Sequence, residues 1–145
     1  MLRKSLSLIS LALVLSLAVN AQWEPAGDKL KTEWAEEIDP ENVLPEYPRP
    51  IMERSDWKNL NGLWDYAIRP ANAGEPENFD GDILVPFAVE SSLSGVQKRV
   101  GKDNVLWYNH AFEVPNQWDG QKILLHLGAV DWKTEVWVND VKVGM

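Results

Sequence analysis

The chain has 145 residues, no cysteine, eight tryptophans and a formal net charge of −8. Without cysteine there is neither a disulfide framework nor a thiolate metal centre, so stability must come from packing. The acidity argues against nucleic acid and anionic membrane surfaces, both of which are bound through clustered Lys and Arg, and the largest basic cluster here is only Lys98, Arg99 and Lys102.

At the start, Arg3 and Lys4 precede an uncharged, largely apolar run from Ser5 to Val19, followed by Val19-Asn20-Ala21. A basic end, a short apolar stretch and small residues before a cut after Ala21 are the pattern of a secretory signal peptide. A membrane anchor is the alternative, but a span needs about 20 mainly apolar residues, and this run is shorter and seeded with serine. No cysteine stands at the cut, so a lipoprotein is not expected. Removing residues 1–21 takes away two positive charges and no negative one, turning −8 into −10 on the 124 residues that remain. The expected location is periplasmic or secreted, with no membrane attachment after cleavage. A mature chain of this size buries about two-thirds of its unfolded surface, enough for one core.

Residues 22–50 read as an extended leader, rich in charge and proline, with a helix-permissive piece from Lys29 to Ile38 that Asp39-Pro40 stops. Its Trp23, Trp34, Val43, Leu44 and Tyr47 are too many large apolar groups for a free linker, so the leader is expected to lie against folded protein. Glu36 and Glu37 are neighbours in sequence and do not face each other. A glycosidase requires two carboxyls about 5 to 10 Å apart across one bond, and a solvated face is the better reading of this pair.

Residues 51–145 read as one β domain. Asn61-Gly62 predicts a turn, after which Trp64, Tyr66 and Ile68 share one strand face, expected inside, opposite Leu63, Asp65 and Ala67. Pro70 to Asp82 is a loop by composition. Its Asp80-Gly81-Asp82 offers too few oxygens for calcium, and a tight turn is expected instead. Ile83 to Val85 predicts a short strand ended by Pro86. Phe87 to Asn104 has no sustained period, and its polar candidates are Glu90, Ser91 and Ser92. No histidine or lysine is spaced to activate either serine, which speaks against serine catalysis.

Val105 to Val114 predicts a long strand, with Leu106, Tyr108, His110, Phe112 and Val114 on one face and Trp107, Asn109, Ala111 and Glu113 on the other. His110 in that apolar company reads as a packing histidine. His126 has no third ligand spaced to join the two, so no metal or other cofactor is expected. Gln117 to Gly120 turns the chain. Ile123, Leu125 and Leu127 then alternate with polar residues, Thr134, Val136 and Val138 do the same, and Asn139-Asp140 stands where a two-residue hairpin turn belongs before Val141 and Val143. Three antiparallel strands are expected from Ile123 to Gly144.

Three ordered segments, NLNGLWDYAI (Asn59 to Ile68), LWYNHAFEVPNQWDGQKILLHLG (Leu106 to Gly128) and GAVDWKTEVWVNDVKVG (Gly128 to Gly144), resemble the N-terminal sugar-binding domain of family 2 glycoside hydrolases, the group of β-galactosidases, β-glucuronidases and β-mannosidases. The resemblance spans about Pro48 to Gly144. It implies an all-β, jelly-roll antiparallel β-sandwich, incomplete at its C-terminus because the family's domain continues past the hairpin. It also implies a carbohydrate substrate and a downstream (β/α)8 barrel that carries both catalytic glutamates, so no catalytic residue is expected in this chain. In β-galactosidases of the family an asparagine before the WY-type strand reaches the sugar. Asn104 lies near that place, although its spacing to Tyr108 departs from the pattern.

Eight tryptophans in an acidic chain point to core packing or carbohydrate stacking rather than nucleobases. Trp64 and Trp118 are expected in the core or at its rim, and Trp107 and Trp132 exposed or interfacial. Three functions follow: the N-terminal part of an exported glycosidase, a free-standing carbohydrate-binding module that uses Asn104, Trp107, Asp131 and Trp132, or a purely structural domain.

Overall fold

The computed structural model describes residues 23–28 and 30–145, so the expected signal peptide lies outside the described residues. The fold is all-β, with antiparallel sheets and short 3-10 turns. It forms two compact units: Asn59–His110 with the described residues up to Pro48 in one, and Arg49–Lys58 with Ala111–Met145 in the other.

The first unit holds a three-stranded sheet of β1 (Gly62–Pro70), β2 (Gly81–Val85) and β3 (Asn104–Asn109), with β1 in the middle. Trp64 pairs with Ile83, Tyr66 with Tyr108 and Ile68 with Leu106, so the predicted inner face of β1 meets apolar partners on both sides. Tyr66, Ile83 and Val89 form the centre of the core, with Trp64, Ile68, Val85, Val96, Val100 and Leu106 packed around it. Three of these, Val89, Val96 and Val100, come from the connection between β2 and β3. That aperiodic segment therefore covers the sheet.

The second face of the sheet is closed as well. Ala67 and Leu84 have no exposed surface, and in the ladder Ala67 stands across from Trp107 while Leu84 stands across from Leu63. A small residue beside a large one fills that layer. Trp107, expected to be exposed or interfacial, is half-buried.

Leader residues run against this unit. Ala26 donates its N–H to the Ser92 carbonyl at 2.8 Å, and the Ser92 hydroxyl donates to the Ala26 carbonyl. The side chains of Asn59 and Asn61 donate to the carbonyls of Val43 and Leu44. Gly95 sits at φ 79°, and a Cβ there would come within 2.8 Å of the Trp23 indole nitrogen. The left-handed backbone and the indole's close approach both require glycine at that position.

β3 is shorter than the strand expected over Val105 to Val114. Its ladder with β1 ends at the pair Asp65 and Asn109, whose side chains also bond at 2.8 Å. His110 then leaves the ladder and stacks on Trp64, with ring centres 4.7 Å apart and planes 10° from parallel. Without a ladder partner the backbone of 111–114 is not a strand, whatever its alternation.

In the second unit β4 (Val136–Val138) and β5 (Val141–Gly144) form the expected hairpin. Asn139 and Asp140 have φ of 48° and 64°, the paired positive values that a two-residue turn demands. The Lys142 ammonium bonds Glu135 at 3.0 Å and lies 5.7 Å from the centre of the Trp137 ring. The expected strand from Ile123 to Leu127 is absent. Ile123, Leu124, Leu125 and Leu127 are 47%, 70%, 41% and 47% exposed, so both faces of the segment are open. An alternating segment becomes a strand only when a neighbour supplies backbone partners and a second layer covers its apolar face, and the described residues of this unit supply neither.

Candidate functional site

The four residues singled out for sugar contact fall into both units. Asn104 opens β3, exposed, with its side-chain amide donating to the Val100 carbonyl at 2.7 Å. Trp107 lies three residues on, and successive side chains of a strand alternate in direction, so these two occupy opposite faces of the sheet. Asp131 and Trp132 are exposed in the irregular stretch before β4, and Trp132 keeps 87% of its surface in solvent. Asn104 and Trp107 therefore share a strand without sharing a surface.

The loop candidates separate by role. The Ser91 hydroxyl accepts from the Ser94 N–H at 3.2 Å, and Ser92 binds the leader as above, so both serines hold local structure. The residue that organises this loop is Ser94, which is fully buried. Its hydroxyl donates toward the carbonyls of Val89 and Ser91 at 3.2 and 2.8 Å and accepts from the N–H groups of Val96 and Gln97 at 3.0 and 3.4 Å. One small side chain thus ties four backbone groups of an aperiodic segment.

Glu90 remains exposed on that tied loop. Its charge acts on Tyr108, whose hydroxyl pKa is raised above the ordinary phenol value, first by burial and second by Glu90. Tyr108 meets Trp64 edge-on with ring centres 6.3 Å apart, while His110 stacks on the same indole. The Trp64 N–H is bonded to the Leu60 carbonyl at 2.7 Å, which fixes the ring. An aromatic group of Trp64, Tyr108 and His110 is what the pairing of β1 with β3 brings together. Two of its signals were in the sequence, since Tyr108 and His110 were placed on one face. The register of β1 against β3 was not.

A second polar group sits at the far end of β1. The Asp80 carboxylate accepts from the Ile68 N–H at 3.0 Å and from the Arg69 guanidinium at 2.7 Å, and Arg69 also donates to the Asn78 carbonyl. The backbone bond first and the Arg69 bond second hold the Asp80 pKa below its ordinary 3.8. The aspartate expected in a tight turn is thus the brace that closes the β1–β2 loop. A carboxyl whose pKa falls on folding stabilises the fold fully above the unfolded value, and that stabilisation is lost as pH drops through the lower folded value. Asp80→Asn is therefore expected to flatten the acid limb of a plot of melting temperature against pH below about 4. An acid limb identical to wild type would remove this role.

Lys98 donates to the Tyr66 hydroxyl at 3.0 Å, with its ammonium 5.5 Å from the centre of the same ring, and the bond raises its pKa. Beside Arg69, a cleft of about 260 Å³ is lined by Ala73, Gly74, Glu75, Pro76 and Glu77, with no aromatic residue for a sugar to stack on. Among the described residues no three His, Cys, Asp or Glu side chains gather to hold a metal ion, and no helix is long and apolar enough to cross a membrane.

No family model matches the chain. Over 103 residues it is 30% identical to a β-glucuronidase of Paenibacillus borealis, a match covering 67% of this chain and 17% of that protein. Over 100 residues it is 25% identical to a β-glucuronidase of Streptococcus agalactiae serotype V, covering 68% of this chain and 16% of that one. The chain thus spans about a sixth of the length of the curated relatives it matches. These matches relate the chain to the glycoside hydrolases.

Proposed function

We propose that this chain is the N-terminal part of an exported family 2 glycoside hydrolase, in which it forms the sugar-binding and supporting domain of an enzyme that hydrolyses β-linked glycosides. The observation that carries the reading is the 30% identity to a β-glucuronidase over two-thirds of this chain and only 17% of that protein. The three ordered motifs agree with it. In this reading residues 1–21 are the signal peptide, removed after Ala21, residues 22–50 are the leader, and residues 51–145 begin a jelly-roll sandwich that later strands complete. The open apolar surface of Ile123, Leu124, Leu125 and Leu127, with Val141 and Val143 on β5, is the face those strands cover. Exposed apolar rows of this extent are unfavourable in water and mark a surface with a partner.

Catalysis then belongs to a (β/α)8 barrel further along, by a retaining double displacement with two glutamates about 5 to 5.5 Å apart. No residue of this chain takes either role. The test is the coding sequence beyond codon 145. An in-frame barrel, and hydrolysis of p-nitrophenyl β-glycosides by the encoded protein when it is purified from the periplasm or medium, support the reading. A stop at that point, or a purified longer protein inactive on glucuronide, galactoside and mannoside alike, overturns it.

A free-standing carbohydrate-binding module is favoured by one observation, the 87% exposure of Trp132 beside Asp131. Under that reading Trp132→Ala abolishes glycan binding by the 145-residue chain and leaves its circular dichroism unchanged.

A further inference from the structure

Asparagine or aspartate stands directly before glycine at three places, Asn61-Gly62, Asp80-Gly81 and Asp119-Gly120. Such a pair can close into a ring, because glycine has no Cβ to shield its backbone nitrogen from the side-chain carbonyl carbon of the residue before it. The fold occupies the first two. The Asn61 side-chain amide donates to the Val43 carbonyl at 3.2 Å, its backbone N–H donates to the Asn59 side-chain oxygen at 2.8 Å, and Gly62 pairs with Val85 in the ladder of β1 and β2. Both oxygens of Asp80 accept hydrogen bonds, one from Ile68 and one from Arg69, and Gly81 pairs with Tyr66, against whose ring it lies. The third pair is open. Asp119 and Gly120 are exposed in the turn that follows the short 3-10 segment Asn116–Trp118. The Asp119 N–H donates to the Asn116 carbonyl at 3.1 Å and the Gln121 N–H to the Trp118 carbonyl at 3.0 Å. Among the described residues, however, neither the Asp119 carboxyl nor the Gly120 N–H has a hydrogen-bond partner. Ring closure has to turn Asp119 away from its ψ of 135°, and a Cβ placed on Gly120 would meet nothing within 4 Å, so no neighbour resists that turn.

We propose that Asp119 is a site of spontaneous backbone modification, where the chain isomerises through a cyclic succinimide to isoaspartate, while the fold protects Asn61 and Asp80. The Gly120 nitrogen attacks the Asp119 Cγ, and the carboxyl hydroxyl leaves with the amide proton as water. A second water then opens the ring at either carbonyl. Opening at Cγ restores Asp119, and opening at the main-chain carbonyl leaves the peptide bond on the former side chain. One water is lost and one regained, so the step requires no oxidant, reductant or metal. The isoaspartyl product has a main chain one methylene longer and a free α-carboxylate, the group that isoaspartyl methyltransferases esterify with S-adenosylmethionine. The added methylene falls in the turn that leads into Lys122 to Leu127. At Asp80 the same attack is opposed twice over, since the carboxylate must leave both the Ile68 N–H and the Arg69 guanidinium before its carbon can be reached.

The experiment is incubation of the 145-residue chain at neutral pH in water enriched in oxygen-18, followed by peptide mapping and by methylation with an isoaspartyl methyltransferase and labelled S-adenosylmethionine. Label is expected at Asp119 about tenfold or more faster than at Asp80, because two charged hydrogen bonds must break before Asp80 can react. In guanidinium the order is expected to change, with Asn61 ahead of both aspartates, since an amide loses ammonia more readily than a carboxylate loses its oxygen. Arg69→Ala removes one of the two bonds on Asp80 and is expected to raise the label there. Asp119→Glu, whose longer side chain closes a ring slowly, is expected to lose most of the methyl acceptance with its circular dichroism unchanged. A folded chain that labels Asn61 or Asp80 as fast as Asp119, or that shows no label at Asp119 under conditions in which the denatured chain is labelled there, overturns the proposal. Methyl acceptance that survives undiminished in Asp119→Glu does the same.

Discussion

Ile83→Ala is expected to lower the unfolding free energy of the first unit by about 3 kcal/mol, within the range for a large aliphatic side chain removed from a closed core. Ile83 has no exposed surface, pairs across β1 with Trp64 and packs with Tyr66 and Val89 at the centre of the apolar cluster on this face of the sheet. The site cannot collapse easily, because β2 is short and its next residue, Leu84, is equally buried on the opposite face. A single domain has roughly 5–15 kcal/mol of stability, and one that leaves so much apolar surface open stands at the lower end. The measurement is urea denaturation followed by tryptophan fluorescence. A midpoint within error of wild type would show that the three-stranded sheet is not the cooperative centre of the unit.

Ser94→Ala is the second large effect, expected at about 2 kcal/mol, because the hydroxyl it removes serves two carbonyls and two N–H groups in a place water does not reach. An alanine leaves the N–H groups of Val96 and Gln97 without their acceptor, and a buried polar group left unpaired costs more than the bond itself contributed. The loss should be local first. Hydrogen exchange at Val96, Gln97 and Lys98 is expected to speed up before that of β1. Unchanged protection at Val96 and Gln97 in Ser94→Ala would mean that the loop is held by its apolar side chains alone.

What was legible in the sequence was local. The alternation of Trp64, Tyr66 and Ile68 marked the inner face of β1 because a strand's side chains alternate whatever its neighbours are. Asn139-Asp140 marked the hairpin because positive φ is a property of those two residues, and the structure places both there. Pro86 marked the end of β2 because it lacks an N–H to donate. The packing role of His110 followed from the company of apolar residues on its face, although its partner, Trp64, comes from another strand.

The rest was decided in three dimensions. Ile123 to Leu127 alternates as well as β1 does, yet it is no strand, because a ladder requires a second segment whose position one segment cannot specify. Burial of Ala67 and Leu84 depends on the register that sets Trp107 beside one and Leu63 beside the other. Ser94 is one of three serines of ordinary appearance in Ser91-Ser92-Leu93-Ser94 only until the chain closes over it, when exclusion of water makes each of its bonds costly to lose. The edge-on packing of Tyr108 on Trp64 likewise exists only once β3 has paired with β1. Local preference selects the shape each segment can take, and the free energy of pairing and burial, which no segment holds alone, selects which of those shapes is used.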